Sequence, residues 1–475
     1  MKRYSTLFFG GIVATLAACS GSKQIAHAPV QATVTAFITS SDQRYLLKEQ
    51  TGLRFSGTNA NGYTTITVDP AQTFQPVEGF GYTLTGGSAQ LINAMDPAAR
   101  QQLLQEVFGA GSQQLGVSYL RISIGASDLN ATVFSYDDVP AGETDVPLAH
   151  FSLAPDMAGG TGLIPLLQEI LQINPKLSIM AAPWSPPVWM KDNGASKGGS
   201  LLPTYYHVYA QYFVKYIQAM KAAGIPIAAI TPQNEPLHPG NNPSLKMLAG
   251  EQRDFIKGHL GPAFAAANIH TKIVVYDHNC DRPDYPLTIL ADTAAARYVH
   301  GSAFHLYAGD ISALSAVQQS APDKAIYFTE QWTGSKETFD NNLRWHIKNV
   351  IIGAMRNHSR TALEWNLAND TAYKPHTPGG CTQCKGAFTI NGNDVKRNVA
   401  YYIIAHASRF VPAGAVRIGS NSEGSFHSVA FQRPDGKKVL IVLNDNSIQA
   451  SFNLRYQNKQ VVAILPAASV GTYIF

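Results

Sequence analysis

The chain has 475 residues, 45% of them hydrophobic and 10% aromatic, which is enough for a large core and exceeds one ordinary domain. Charged residues make up only 14% and the net charge is +4, so there is no basic field of the kind that binds nucleic acid. Low charge together with 39 Gly, 27 Pro and 21 Tyr points to a loop-rich protein that works outside the cytoplasm and carries aromatic surfaces.

The N-terminus begins with the short positive segment Lys2-Arg3, followed by an apolar run over 7–18. That run has signal-peptide length and is too short to span a bilayer by itself. Leu16-Ala17-Ala18-Cys19 resembles a bacterial lipobox, in which the peptidase cuts before the cysteine and the cysteine is lipidated. The expectation is a signal peptide over 1–18, a lipid on Cys19 and a tether over 19–30, with membrane contact through the lipid alone. Ser20 at the second mature position resembles outer-membrane sorting. The alternative is an ordinary secretory signal with an incidental cysteine.

Residues 31–75 read as strands, with Thr64-Thr65-Ile66-Thr67-Val68-Asp69-Pro70 alternating up to a turn signal. Residues 411–475 read the same way, and Pro434-Asp435-Gly436 joins two apolar runs as a hairpin turn. These two ends predict one β-sandwich built from both termini.

Between them, 76–410 alternates strands and helices. Strands are predicted at 78–83, 119–125, 178–184, 228–233, 272–277, 302–307, 325–330 and 362–366. Asp96 is the expected N-cap of Pro97–Phe108, with Pro at the first helical position and Gly109 after the end. Tyr205, Tyr209, Tyr212, Phe213, Tyr216 and Met220 recur at helical spacing, and Gly224 closes that helix. Further helices are expected over 342–357 and 398–410. Eight βα units predict an α/β fold, a (β/α)₈ TIM barrel, with long loops over 126–162 and 185–203 on the face where barrel enzymes place their sites. A doubly wound sheet is the runner-up, but no Gly-rich phosphate loop follows the first strand.

The predicted strand ends are polar. They carry Arg121 and, beyond it, Asp128; Trp184; Asn234-Glu235; Asp277-His278; His305 and Tyr307; Glu330-Gln331-Trp332; and Glu364-Trp365-Asn366. Carboxylates, indoles and amides at a barrel mouth suit a sugar site, where aromatic faces stack on pyranose C–H surfaces and amides bond to hydroxyls. Glu235 and Glu330 fall on strands four and seven, which face each other. Glycoside cleavage needs a carboxylic acid to protonate the leaving oxygen and a carboxylate to meet the oxocarbenium-like carbon.

Thr231-Pro232-Gln233-Asn234-Glu235-Pro236 resembles the acid/base motif of glycoside hydrolase family 30, the glucosylceramidase-like enzymes. The resemblance continues through Tyr119-Leu120-Arg121-Ile122-Ser123, Pro183-Trp184-Ser185-Pro186-Pro187, Gln252-Arg253-Asp254-Phe255-Ile256, Tyr298-Val299-His300-Gly301 and Trp365-Asn366-Leu367-Ala368. It implies a barrel with an attached β-sandwich, Glu235 as acid/base and Glu330 as nucleophile. It also implies Arg121, Asp128, Trp184, Asn234, His305, Tyr307, Trp332 and Trp365 as the substrate-binding set. Burial and a negative Glu330 are expected to raise the Glu235 pKa, so that it is protonated near neutral pH.

Gln331-Trp332 after the nucleophile depart from the vertebrate lysosomal pattern. Asp277-His278-Asn279-Cys280-Asp281 and Gly379-Gly380-Cys381-Thr382-Gln383-Cys384 resemble the bacterial and fungal subgroup that cuts β-1,6-glucan. The implied activity is retaining hydrolysis of β-glucosides, with β-1,6-glucan as the substrate. Glucosylceramide or a simple β-glucoside is the enzyme alternative, with xylan behind both, and a non-catalytic surface glycan-binding lipoprotein is the alternative of another class. Cys381 and Cys384 are expected to close a small disulfide loop and leave Cys280 free. Zinc held with His376 and Cys280, or unpaired thiols, are the other readings. Nothing in the sequence calls for a metal or organic cofactor.

Overall fold

The structure, a computed structural model, describes residues 1–11, 33–58 and 60–475. Cys19, the lipobox and the whole tether lie outside the described residues. Among the described residues no helix is long and apolar enough to cross a membrane.

Eight parallel strands close into a barrel in chain order. They are β1 (Gly79–Thr83), β2 (Tyr119–Ser123), β3 (Ser178–Ala182), β4 (Ala229–Ile230), β5 (Lys272–Cys280), β6 (Val299–Gly309), β7 (Ala325–Glu330) and β8 (Ser359–Asn366). All eight predicted strands are present, so the barrel reading stands over the doubly wound sheet. Strand β4 is shorter than expected. Thr231 still donates to Ala181 across the ladder at 3.0 Å, but Pro232 has no N–H to continue it. The chain then turns inward through Glu235, whose φ of 45° is left-handed.

The helices surround the barrel. Pro97–Phe108 forms as predicted, but the Asp96 side chain does not cap it. That carboxylate instead accepts from Asn393 Nδ2 at 2.6 Å. Tyr206–Ala222 buries its Tyr and Phe face, and Tyr136 stacks on Tyr216 at 5.7 Å between ring centroids. The expected helix over 342–357 runs Phe339–His346, then a π-helical stretch Ile347–Gly353, then Ala354–Arg356. Residues 126–162 and 185–203 are long loops with isolated single turns at Ala154–Asp156 and Val188–Met190.

Strands from both ends of the chain share one ten-stranded sheet that forms the sandwich. Thr33–Ser40 pairs with the last strand, Ser469–Ile474. The 13-residue strand Thr64–Pro76 pairs with Val416–Ser420 on one side and Ala450–Tyr456 on the other. Register shifts along its pairing with Val416–Ser420 bend it, which lets one strand serve both layers. Val34, Ile66, Phe452, Leu454 and Tyr473 meet in the core of the sandwich.

Candidate active site

The barrel interior is filled by Tyr119, Met180, Ala229, Val274, Ala303, Ala325, Tyr327 and Leu363. Side chains alternate along a strand, so the inward neighbours two residues further on form the next layer toward the C-terminal mouth. That layer is polar. Arg121 is fully buried, a position that requires compensating carboxylates. It donates to Asp277 at 2.8 Å, to Glu330 at 2.7 Å and to the Asn234 side-chain oxygen, Oδ1, at 2.6 Å. Its guanidinium also lies 4.8 Å from the ring centre of Trp184. Burial opposes the Arg121 charge, but Asp277 and Glu330 outweigh it and keep the group cationic.

Asp277 anchors this layer. It accepts from Arg121, from Thr231 at 2.7 Å and from Thr329 at 2.6 Å, and it lies 3.1 Å from His305 Nε2. Burial works against its charge, but Arg121 and the hydrogen bonds hold it far below the carboxylate range. Tyr276 and Asp277 both have left-handed backbone, with φ of 76° and 63°. The Asp277 carbonyl accepts the Glu235 N–H at 3.0 Å, so the two turned residues support each other.

Above this layer stands the carboxylate pair. A carboxylate oxygen of Glu235, one of Glu330 and a ring nitrogen of His305 all lie within 4.8 Å of one another. This is the one group of three such side chains that could hold a metal ion among the described residues. The Arg121 guanidinium at 2.7 Å from Glu330 already supplies the positive charge there. His305 Nδ1 is 3.1 Å from Glu235 and 3.7 Å from Glu330. Tyr307 donates its hydroxyl to Glu330 at 2.9 Å. A register shift between Phe304 and His305 in β6 marks the place where the strand re-aims these side chains.

The charge distribution differs from the sequence expectation. Burial opposes a charge on His305, but Glu330, Asp277 and Glu235 outweigh it and lift its pKa to about 9. Burial raises Glu235, yet the hydrogen bond and charge of His305 overcome that and hold Glu235 below its ordinary value. Glu330 is the raised member, because burial outweighs His305 and Arg121. The expected raised pKa thus falls on the other glutamate.

The cleft in front of the pair has a volume of about 370 Å³, at the lower end of ligand pockets. Asp128, Trp184, Asn234, Tyr307, Trp332 and Trp365 line it, with both glutamates. Trp184 and Trp365 pack 5.4 Å apart and close its inner end. Asn234 Oδ1 is engaged by Arg121, which leaves its amide nitrogen as a donor toward the cleft. Arg121 and His305 do not line the cleft. They lie behind the carboxylates, so in this structure they position the pair and do not face substrate.

Asp128 is held from the disulfide loop. Cys381 and Cys384 are bonded to each other, and Cys280 is free and buried. The Cys381 N–H donates to the Asp128 carboxylate at 3.1 Å, and the Thr377 N–H donates to its carbonyl at 2.9 Å. A side chain on Gly380 would collide with that carbonyl, so glycine is required for the approach. Burial, followed by the charge on Glu330, raises Asp128 to about 7.

Sequence reasoning placed Asp277 among the polar strand ends without giving it a role, and it did not assign Thr231 or Thr329 to the site. The usable signal was Arg121 itself, since an arginine at an inward barrel position needs more than one carboxylate.

A closed (β/α)₈ barrel with two acidic side chains converging at its mouth, beside two packed indoles, defines a barrel glycosidase. The chain belongs to glycosyl hydrolase family 30, whose TIM-barrel domain matches residues 77–411 and whose beta sandwich domain matches 414–473. It is 33% identical over 467 residues to an endo-1,6-beta-D-glucanase of Neurospora crassa, covering 91% of this chain and 95% of that protein. It is 28% identical over 437 residues to the lysosomal acid glucosylceramidase of Mus musculus, covering 86% of this chain and 83% of that one. The solved structure of an endo-beta1,6-glucanase superposes with a TM-score of 0.86 at 36% identity, covering 93% of this chain and 99% of that one.

Proposed function

We propose that this glycosidase hydrolyses β-1,6-linked glucan with net retention, using Glu330 as nucleophile and Glu235 as acid/base. The observation that carries the mechanism is the approach of the two carboxylates within 4.8 Å. A separation of about 5–5.5 Å suits direct attack, whereas inversion needs about 6.5–9.5 Å to admit a water. Arg121 and the Tyr307 hydroxyl favour the ionised form of Glu330, one on each oxygen. Glu330 attacks the anomeric carbon as Glu235 protonates the leaving oxygen. Glu235 then takes a proton from water, which attacks the glycosyl ester and releases the β-anomer.

The acid proton is shared between Glu235 and His305. When His305 Nδ1 passes it to Glu235, the remaining Nε2–H still donates to Asp277, so the neutral tautomer is already supported. Asn234 donates to the sugar 2-hydroxyl, and Asp128 accepts from hydroxyls at the far end of the ring.

The 1,6-glucan substrate is supported by the named activity of the Neurospora relative and of the superposed glucanase. Trp332 beside Glu330 adds a flat apolar face for a second glucose. Reducing-sugar release from β-1,6-glucan, laminarin, xylan and glucosylceramide tests this reading. Release from glucosylceramide with intact β-1,6-glucan would reverse it, and binding without turnover on all four would favour a glycan-binding lipoprotein. NMR of the first-formed product should show the β-anomer; an α-anomer would overturn retention.

We further propose export with a lipid on Cys19, which rests on the leader pattern Lys2-Arg3, the apolar run and Leu16-Ala17-Ala18-Cys19. Metabolic labelling with a fatty acid should mark the wild type and not Cys19→Ala. Equal labelling of both would remove the anchor.

A further inference from the structure

The larger cavity at the barrel mouth does not hold the carboxylate pair. It is a groove of about 830 Å³ that adjoins the catalytic cleft, and Trp332 lines both. The groove runs from Gln331 and Trp332 along the helix Phe339–His346 to Asp445 of the sandwich. Asn341, Arg344, Trp345, Lys348 and Asn349 recur at spacings of three and four, so they share one helical face, and all line the groove. The opposite face is apolar, with Leu343, Ile347, Val350 and Ile351 in the core.

Two features suit a polyol. Trp345 is 39% exposed, an unusual position for an indole unless something packs on it. Arg344 and Lys348 are already paired with Asp445 at 3.2 and 3.1 Å, so the groove offers hydrogen-bonding edges more than net charge.

The catalytic cleft decides the occupant. Trp184, Trp365 and Asp128 are nearly fully buried at its inner end, so a glucan chain leaves on the open side, which Trp332 lines together with His238, Asn241 and Tyr307, and of these Trp332 continues into the larger groove. We infer that the Trp332–Trp345 groove binds the leaving-group portion of the same β-glucan chain, as a distal subsite beyond the catalytic cleft. This rests on the β-1,6-glucan reading above.

The test compares Trp345→Ala and Trp345→Phe with wild type on long β-1,6-glucan and on an aryl β-glucoside that cannot reach the groove. Trp345→Ala should raise KM for the polymer about tenfold, the loss of one stacked ring. Its kcat/KM on the aryl glucoside should not change, and Trp345→Phe should recover most of the polymer affinity. An unchanged polymer KM in Trp345→Ala overturns the subsite, as does an equal loss on both substrates. A wild-type enzyme that cleaves the aryl glucoside but leaves β-1,6-glucan intact overturns the substrate reading and removes this occupant with it.

Discussion

His305 Nδ1 lies 3.1 Å from the Glu235 carboxylate, inside a site where Glu330 is held separately by Arg121. This asymmetry is the basis for assigning different work to two chemically identical side chains. One glutamate shares a proton with an imidazole, and the other receives hydrogen bonds on both oxygens.

The catalytic roles are checked by replacement. Glu330→Gln should lower kcat by several orders of magnitude on every substrate, and azide should not restore it. Glu235→Ala should lose about 10²–10⁴-fold on glucan, which needs an acid, and far less on aryl glucosides with good leaving groups. Azide should then accelerate the second step. A β-glycosyl azide from Glu330→Gln instead would exchange the two assignments, because an anion standing in for the nucleophile gives the α-azide.

The pH profile follows from the shifts around His305. The proton of the Glu235–His305 pair is lost as pH rises through about 9, so kcat/KM falls there. Glu330 must be ionised and its pKa is raised, so kcat/KM also falls as pH drops, with the acid limb shifted upward from that of an ordinary glutamate. His305→Gln should narrow the bell from both sides, because His305 holds the pair's proton and also lowers Glu330. The maximum should drop by about tenfold or more. A lower maximum with unmoved limbs would make His305 a packing residue.

Asp128 should give sugar affinity its own pH dependence. Its carboxyl is raised to about 7, and the ionised form accepts hydroxyl hydrogen bonds more strongly than the neutral one. Affinity for a glucose-like inhibitor should therefore increase as pH rises through 7. Asp128→Asn should bind more weakly and lose that component. Calorimetric titration at pH 5.5 and 8 of both proteins reads the difference.

Stability responds to another carboxyl. Burial and the neighbouring Asp145 raise Asp137 to about 7. A raised carboxyl favours folding fully below its unfolded value, and that contribution is lost as pH rises through 7. Asp137→Asn removes the ionisation, so it should stabilise the protein at pH 8 by about 1–2 kcal/mol and change little near pH 3.8, the unfolded value. Thermal unfolding at the two pH values checks this, and an equal shift at both would refute it.

The barrel and its carboxylates were legible from the sequence alone. Apolar strand cores with polar ends are a local pattern, and it located all eight strands and put Glu235 and Glu330 on opposing ones. The orientation of Asp277 was not legible. Inward Val274 implies by alternation that Tyr276 points in and Asp277 out, yet Tyr276 packs in the outer core and Asp277 bonds Arg121 inside. Two successive left-handed residues shift the register against β6 and reverse the side chains. Such backbone is tolerated because Arg121, Thr231, Thr329 and His305, from four other strands or strand ends, all bond the carboxylate once it points inward. The proton assignment depends on the same assembly. Which glutamate is raised depends on what surrounds each one: His305, His278 and His238 lower Glu235, while burial, Glu235 and Asp277 act against the charge of Glu330, and packing between strands that no local pattern encodes sets both surroundings.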